Sequence, residues 1–181
     1  MSGAGILAGK RGLILGVANN RSIAWGIAKT VCAMGAEVTL THQGDALKKR
    51  VEPLAAELGA RLAGHCEVLD PASLDAVFEK VASEWGKLDF LVHAIAFSDK
   101  SELEGRYIET SADNSAKTMN ISVYSFTAAA KRAEAMMNPG GSMITLTYYG
   151  AEKYIPNYNV MGVAKAALEA SVRYLAVDLG K

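Results

Sequence analysis

Two residues near the end of the chain, Tyr158 and Lys165, are of types that suit a redox site. They lie seven residues apart in the segment YNVMGVAK. In a helix that spacing is two turns, with about 10 Å of rise and about 20° of angular drift, so both side chains would share one face. The lysine could hold ribose hydroxyls and supply positive charge, while the phenol could donate a hydrogen bond to an oxygen that gains negative charge. On spacing alone, an exposed tyrosine and lysine without chemistry is the commoner explanation.

Four tyrosines lie close together in the stretch TLTYYGAEKYIPNY, namely Tyr148, Tyr149, Tyr154 and Tyr158. The stretch follows a predicted strand, and open α/β sheets bind their ligands at the carboxyl ends of strands. Tyrosines at this place could also line a crevice without taking part in chemistry. We favour that interpretation for Tyr149 and Tyr154, and the residues alone leave Tyr148 open.

A loop near the start of the chain has the position of a phosphate-binding turn. In LILGVANNRSIAWGIA, a predicted strand ends at Gly16 and a predicted helix begins near Ser22. Backbone N–H groups between these points can face a pyrophosphate. The two glycines, Gly16 and Gly26, do not have the GxGxxG spacing. On this segment alone, a plain strand-to-helix turn is equally well supported.

The end of the second predicted strand, in VTLTHQGD, is where a dinucleotide site usually places an acid against the adenine ribose. Gln43 holds that place. A neutral amide can bind the ribose hydroxyls without repelling a 2′-phosphate, so this residue alone does not decide between NADH and NADPH. Lys48, Lys49 and Arg50 follow and could help to bind a phosphate, but a solvated helix face explains these three better.

Short apolar segments alternate with longer segments of helical period, which is typical of βαβ units that form a parallel sheet. The sequence predicts mostly apolar strands at 11–17, 37–42, 61–68, 90–95 and 142–147. It predicts helices at 22–34, 45–58, 73–85, 112–137 and 158–179, with Gly35, Gly59 and Gly86 as C-caps. We therefore expect an α/β fold with a Rossmann-like, doubly wound parallel sheet, in a single domain over residues 1–181.

Composition narrows the classes of function. The chain has 181 residues, half of them hydrophobic, which is enough for one core. Lysine plus arginine equals aspartate plus glutamate at 19 each, so we expect no nucleic-acid partner. Cys32 and Cys66 form neither a CxxC pair nor a metal-ligand cluster, which predicts no metal and a reducing, cytoplasmic setting. The N-terminal apolar segment is too short to span a bilayer, so we expect no membrane partner.

These segments together resemble one branch of the short-chain dehydrogenase/reductase superfamily, the enoyl-acyl-carrier-protein reductases. The carbonyl-reducing members carry a TGxxxGxG loop and a Tyr-x-x-x-Lys pair, whereas the fourth residue after Tyr158 is Gly162. The enoyl reductases carry a glycine followed by a Ser-Ile-Ala loop, and a Tyr-x6-Lys pair, which GVANNRSIAWG and YNVMGVAK reproduce. IPNYNVMG is also similar to the family, and the similarity runs from about Ala8 to Gly180.

The resemblance implies roles for individual residues. It assigns the binding of NADH, with NADPH the less favoured coenzyme, to Gly16, Ser22, Ile23, Gln43, Glu67, Val68, Ile95 and Lys165. The first three would meet the pyrophosphate, Gln43 the adenosine ribose, the pair at 67 and 68 the adenine, and Ile95 the nicotinamide half. The resemblance also implies that Ser98 lies close to the acyl substrate, and that Tyr148, Tyr158 and Lys165 are catalytic. In many relatives an aspartate stands in place of Glu67, and Ser-Ile-Gly in place of Ala94-Ile95-Ala96.

The activity implied by the resemblance is reduction of the trans-2 double bond of an enoyl-acyl-carrier-protein thioester, the last step of the type II fatty-acid elongation cycle. Hydride would pass from NADH to the β-carbon, and the Tyr158 hydroxyl would stabilise the enolate oxygen. Lys165 would bind the nicotinamide ribose. The family also implies a homotetramer formed through long helices, for which the stretches 125–135 and 164–177 are candidates. An ordinary core face explains these two stretches nearly as well.

Two alternatives stay open. One is a non-catalytic dinucleotide-binding or interaction module, and the other is a carbonyl-reducing dehydrogenase, against which the Tyr-x6-Lys spacing argues. Members of the family continue past the position of Lys181 with two more strands and a substrate loop. We therefore expect the chain to be truncated after the fifth strand and its following helix.

Overall fold

The computed structural model describes residues 5–180, and it contains the parallel sheet that the sequence predicts. The strands are β1 (Arg11–Leu15), β2 (Glu37–His42), β3 (Arg61–His65), β4 (Leu88–His93) and β5 (Met137–Thr145). Their order across the sheet is β3-β2-β1-β4-β5, which reverses direction between β1 and β4. This is the doubly wound, Rossmann-like arrangement, so the predicted fold class is confirmed. The single domain over residues 1–181 stays a prediction, and residues 1–4 and 181 of it lie outside the described residues.

Six α-helices lie in the described part of the chain. They are α1 (Ile23–Ala33), α2 (Gly44–Leu58), α3 (Pro71–Trp85), α4 (Ala112–Met119), α5 (Ser125–Glu134) and α6 (Asn159–Leu179). Gly59 and Gly86 are the C-caps of α2 and α3, as predicted, whereas the C-cap of α1 is Met34 and Gly35 follows it. Between residues 5 and 180, none of the helices has both the length and the apolar character needed to cross a membrane.

The single helix predicted over 112–137 is wrong. α4 ends at Met119, the π-helical turn Asn120–Tyr124 follows, and α5 ends at Glu134. A π turn forms i→i+5 hydrogen bonds and is a rare, local departure from the α-helix, for which the apolar spacing of a sequence gives no specific signal. The pattern therefore predicts the helical segment but not its interruption.

The fifth strand begins earlier than predicted and ends at Thr145 rather than at residue 147. Leu88 of β4 pairs with Met137, and Phe90 pairs with Ser142, so that residues 138–141 bulge out of the ladder. The sequence Asn-Pro-Gly-Gly is typical of a turn, but within the sheet of residues 5–180 β5 pairs only with β4, and a proline and a bulge are tolerated where one edge of a strand is unpaired. The strands β1 and β3 also end before the predicted residues, while β4 begins and ends two residues early.

The chain divides into two compact units. The first extends to Ala94 and includes Arg132–Thr145, so it contains the whole sheet. Its core packs apolar strand residues against α1 and α2, and the largest of its buried side chains are Trp25, Phe90, Ile14 and Leu40. Each such side chain contributes about 1.5–3 kcal/mol when fully buried. This core fixes the strand ends that carry the candidate binding residues.

The second unit comprises Ile95–Lys131 and the chain from Leu146 onward. It packs the first half of α6 against α4 and the π turn. The buried side chains of α6 are Val160, Met161, Ala164, Lys165 and Leu168. All but one of these are apolar or small, so the buried lysine needs a separate explanation.

Candidate functional site

In the first unit, Gly16 follows β1 at the point where the strand order reverses. The N–H of Ala94, at the end of β4, donates to the carbonyl of Leu15 at 3.0 Å. Gly16 has φ +103°, and a Cβ added to it would overlap the Ala94 carbonyl group. Only glycine fits both the conformation and the close approach. Open α/β sheets bind ligands at such a reversal, and phosphate binding at this turn stays a prediction.

Ser22 is the N-cap residue of α1, and its hydroxyl shapes the preceding loop. The Oγ atom accepts hydrogen bonds from the N–H groups of Ala18 and Asn19, both at 3.1 Å. It makes no capping hydrogen bond to the helix, and the first turn of α1 carries no acidic side chain. The side chain of Ile23 is 68% exposed. The first N–H groups of α1 are therefore available to an anion, as a pyrophosphate site requires.

Gln43 and Glu67 are brought together from two neighbouring strands. Gln43 follows β2 and is the N-cap residue of α2, while Glu67 follows β3. Gln43 Nε2 donates to Glu67 Oε2 at 2.6 Å. Val68 is half-buried beside Glu67 in the chain. The three residues predicted to meet adenosine thus lie on adjoining loops at one end of the sheet.

In the second unit, the rings of Tyr148 and Tyr158 meet edge to face, with centroids 4.9 Å apart and planes at 66°. Burial raises the pKa of the Tyr158 phenol, and the neighbouring Tyr148 phenol adds to the effect. A phenol that keeps its proton can donate a hydrogen bond across the neutral range. Tyr149 instead lies under the Lys153 amine, at 5.3 Å, and Tyr154 is 80% exposed. Of the four tyrosines, only Tyr148 and Tyr158 therefore form a pair.

Lys165 lies on α6 and is only 6% exposed. Its Nζ atom donates to the carbonyl of Leu146 at 2.7 Å. Burial lowers the pKa of this amine, and no carboxylate of the described residues forms an ion pair with it. An ammonium has three donors, so two remain for a ligand. A buried, unpaired cation is costly, and such groups are concentrated at functional sites.

The structure corrects the predicted start of the last helix. α6 begins at Asn159, and Tyr158 is its N-cap residue, with φ −122° and ψ −23°. Asn159 has φ +31°, so the backbone departs from helical geometry directly after the tyrosine. The two-turn arithmetic that placed Tyr158 and Lys165 on one helical face does not apply, because Tyr158 precedes the regular helix.

Two glycines set the position of the Tyr158 ring. A Cβ at Gly150 would lie 2.5 Å from that ring, and a Cβ at Gly162 would lie 2.8 Å from the Gly150 carbonyl oxygen. Position 162 therefore has no room for a lysine. The carbonyl-reducing enzymes place their lysine at this position, so the packing agrees with the Tyr-x6-Lys spacing.

Ile95 and Ser98 lie on the segment that follows β4. Ile95 is half-buried, and Ser98 belongs to a polar cluster. Thr118 Oγ1 donates to Ser98 Oγ at 2.9 Å, and Asn114 Nδ2 donates to the same oxygen at 3.2 Å. Asn114 also accepts from the Asp99 N–H at 3.0 Å. The predicted contacts of Ile95 with nicotinamide and of Ser98 with substrate stay predictions, and the cluster holds their segment in place.

The sequence analysis missed two side chains that hold the site. Ser122, in the π turn, accepts from the Phe97 N–H at 3.0 Å and lies 3.1 Å from the Phe97 carbonyl oxygen. Asn159 Nδ2 lies 3.2 Å from the carbonyl oxygen of Glu102 and 3.4 Å from those of Glu104 and Gly105. Asparagine tolerates positive φ better than most residues, so the two asparagines in IPNYN, Asn157 and Asn159, were a usable signal for an irregular turn. Nothing in the sequence marks Ser122.

Comparison with known proteins identifies relatives along nearly the whole chain. A family model described as "Enoyl-(Acyl carrier protein) reductase" matches residues 16–181. The chain is 73% identical over 176 residues to a protein of Rhizobium meliloti (strain 1021) named "Enoyl-[acyl-carrier-protein] reductase [NADH] 1". That alignment covers 97% of this chain and 65% of the relative, so the chain spans just under two thirds of the relative's length.

Solved structures agree with this match. An enoyl-(acyl-carrier-protein) reductase from Anaplasma phagocytophilum, in complex with NAD, superimposes with a TM-score of 0.95 at 60% identity, covering 99% of this chain and 69% of that one. The Bacillus cereus enzyme, solved with NADP+ and an indole naphthyridinone, gives 0.94 at 44% identity, covering 97% and 69%. The similarity to these solved structures extends over nearly the whole chain, so it includes the turn at Gly16, the Gln43–Glu67 pair and the buried Lys165. The chain belongs to the enoyl-(acyl carrier protein) reductase family.

Proposed function

We propose that the protein uses NADH to reduce the trans-2 double bond of an enoyl-acyl-carrier-protein thioester, the last step of the type II fatty-acid elongation cycle. Within the structure, the main support for this proposal is the environment of Lys165. The helix that begins after Tyr158 buries a lysine cation without a carboxylate partner among the described residues. A tyrosine that keeps its proton and a lysine that keeps two free donors are the groups that this reduction needs.

The residues of the chain fit NADH by the chemistry of their donors and acceptors. The turn at Gly16, the Ser22 hydroxyl hydrogen and the Ile23 N–H suit a pyrophosphate, while the Ser22 N–H donates to the Asn19 carbonyl at 3.2 Å. The Gln43 amide suits ribose hydroxyls, and Glu67 and Val68 suit the adenine. We assign Ile95 to the nicotinamide half and Lys165 to the nicotinamide ribose. When bound, NADH supplies the hydride that adds to the β-carbon of the substrate.

The roles of the tyrosines follow from their contacts. As the double bond accepts hydride, negative charge develops on the thioester oxygen, and the Tyr158 hydroxyl donates a hydrogen bond to it. The Lys165 cation lowers the cost of that charge. The α-carbon then takes a proton from solvent or through Tyr158, which completes addition of one hydride and one proton. Tyr148 packs against the Tyr158 ring and is proposed to line the acyl site with Ser98.

The test is loss of NADH absorbance with an enoyl thioester, for wild type and for Tyr158→Phe, Lys165→Ala and Tyr154→Phe. Loss of one donor to a developing oxyanion costs about 10²–10³ in kcat, which we expect for Tyr158→Phe. We expect Lys165→Ala to lose NADH affinity as well. Tyr154 is 80% exposed, so its variant should match wild type. Tight NADH binding without turnover of any enoyl thioester would favour the non-catalytic module instead.

We also propose that the protein acts in the cytoplasm as a homotetramer, with the acyl-carrier protein as partner. Support comes from three exposed apolar side chains that share one face of α6, namely Val163, Tyr174 and Val177. Such a helix face suits an interface between copies of one chain. Cys32 and Cys66 are free thiols, in keeping with a reducing compartment. Sedimentation should give four times the mass of the chain for wild type and a smaller species for Val177→Glu.

A further inference from the structure

The hydrogen bond between Gln43 and Glu67 fixes the direction of the Gln43 amide. A carboxylate only accepts hydrogen bonds, so the amide nitrogen must face it, and Nε2 lies 2.6 Å from Oε2. A bond this short to a charged acceptor is among the stronger hydrogen bonds of a protein. Turning the amide over would bring two oxygens together. The Gln43 oxygen therefore points away from Glu67, on a side chain that is exposed to solvent.

Glu67 is itself held in place by contacts that do not involve Gln43. Its Oε1 atom accepts from the Leu69 N–H at 3.1 Å, and its backbone N–H donates to Ser73 Oγ at 2.9 Å. Its carbonyl accepts from the Asp70 N–H at 3.0 Å. The half-buried carboxylate thus stays beside the amide instead of turning into solvent. It places a fixed negative charge next to the end of β2.

An oriented acceptor and a fixed negative charge discriminate between two forms of the adenosine ribose. A free 2′-hydroxyl can donate to the Gln43 oxygen, whereas a 2′-phosphate offers acceptors and carries negative charge. Many NADH sites place an acid directly at the end of the second strand for this purpose. Here that position holds a neutral amide, and the acid comes from the loop after β3. Of the basic residues that follow Gln43, Lys48 is paired with Glu52 at 3.7 Å.

We propose that Glu67, acting through Gln43, is a determinant of specificity for NADH over NADPH. The inference rests on the proposed function and adds what selects the coenzyme. Glu67 supplies the charge that repels a 2′-phosphate, and it holds Gln43 as an acceptor for the 2′-hydroxyl. In Glu67→Gln, the charge is lost and the Gln43 amide can turn its N–H groups outward, where they can donate to a phosphate.

The test is calorimetric measurement of Kd for NADH and NADPH with wild type, Glu67→Gln and Glu57→Gln. The control removes the same charge from the far end of α2, about 20 Å from Gln43 along the helix. We expect Glu67→Gln to lower the ratio of the NADPH Kd to the NADH Kd about tenfold, by gain of NADPH affinity. The Glu57→Gln ratio should match wild type. AMP and adenosine 2′,5′-bisphosphate should show the same shift, since they lack the nicotinamide half.

Each outcome decides the matter. An unchanged ratio in Glu67→Gln, or an equal shift in Glu57→Gln, overturns the inference and leaves the proposed function standing. If thermal unfolding shows that Glu67→Gln is not folded, Gln43→Leu replaces it. That variant loses the acceptor, so its NADH affinity should fall about tenfold and its NADPH affinity should change little. A constant ratio there also overturns the inference. A wild type that binds neither coenzyme overturns both the proposed function and the inference.

Discussion

The environment of Tyr158 determines which form of its side chain is present. The ring is half-buried between Tyr148 and the glycine backbone at Gly150, and burial favours the neutral phenol over the charged phenolate. Lys165 is shifted in the opposite direction, since burial disfavours its ammonium. Free tyrosine loses its proton before free lysine, and these two shifts act against that order.

The Tyr158 proton should therefore be lost only at strongly alkaline pH. A raised pKa means that the protonated phenol persists to higher pH than in free tyrosine, whose value is 10.0. We expect the difference in tyrosinate absorbance between wild type and Tyr158→Phe to titrate with a midpoint above 10.0. A midpoint below that value would show that a nearby positive charge, rather than burial, dominates the site.

Asn159 stabilises the turn that presents Tyr158, by two separable effects. Its φ of +31° is costly for residues with a Cβ, by about 1–2 kcal/mol, and its amide contacts three carbonyls of residues 102–105. Asn159→Gly loses the hydrogen bonds but not the favourable backbone, whereas Asn159→Ala loses both. Urea denaturation should thus rank wild type above the glycine variant and the glycine variant above the alanine variant. Equal stability of the two variants would show that the backbone conformation contributes nothing.

Side-chain types and spacing were enough to single out Tyr158 and Lys165 as candidates, because both residues carry their chemistry in their own functional groups. Spacing alone favoured an exposed lysine, whereas Lys165 is buried, and the catalytic roles of both residues stay predictions. The same reasoning could not predict Asn159 or Ser122. Their importance depends on carbonyl and N–H groups of residues 25 or more positions away in the chain. No local pattern records such contacts.

At the level of elements, the close approach of α6 to the turn at Gly150 determines what residue 162 can be. Alanine is normally about 1 kcal/mol more favourable than glycine within a helix. Here a Cβ at Gly162 would meet the Gly150 carbonyl oxygen at 2.8 Å, and Gly150 in turn contacts the Tyr158 ring. Position 162 of α6 therefore holds a residue of low helix propensity, because only glycine lets the helix pack against that turn.

Gly162→Ala should consequently destabilise the protein by about 1–3 kcal/mol and lower kcat at least tenfold, because overpacking displaces the Tyr158 ring. Gly26→Ala is the matched control for stability, since Gly26 lies within α1 and a Cβ there meets no atom within 4 Å. That variant should gain up to about 1 kcal/mol. Urea denaturation measures both, and a stabilised, active Gly162→Ala would contradict the packing argument.

Elements were predicted best where the strands are apolar and the helices end at glycine. The bounds of β2 were predicted without error because Gly35 ends the preceding helical segment and Gln43-Gly44 ends the strand pattern. The helix over 112–137 failed for the opposite reason. Its apolar pattern gives no sign of the π turn. The start of β5 was missed because the bulge at residues 138–141 depends on pairing with β4, a strand that lies far away in sequence.

At the scale of the whole molecule, Cys66 reports on how often the first unit opens. It is buried, and burial together with the nearby Glu67 charge raises the pKa of its thiol to about 11. At pH 8 only about one buried thiol in a thousand is then a thiolate, and the thiolate fraction rises when opening exposes the side chain to water. Reaction therefore requires both opening of the structure and loss of a proton.

We expect Cys66, in a Cys32→Ser background, to react with a thiol reagent many times more slowly in the native protein than in urea. Dinucleotide at 100 times its Kd should slow the native reaction further, by up to about a hundredfold, if it binds only the closed form. Mass spectrometry of the labelled protein gives the rate. Labelling of the native protein as fast as in urea would show that this region is not packed as described.

The central position of β1 has a consequence for synthesis of the chain. β1 pairs with β2 only 26 residues later, at Arg11 and Glu37, but its other edge pairs with β4 78 residues later, at Gly12 and Phe90. At about 5–20 residues per second, a ribosome needs roughly 4–16 s to produce that second partner. For that time an apolar strand keeps one open edge, which is a template for wrong pairing. The risk of misfolding is therefore greater while the protein is being made than when the complete chain refolds at once.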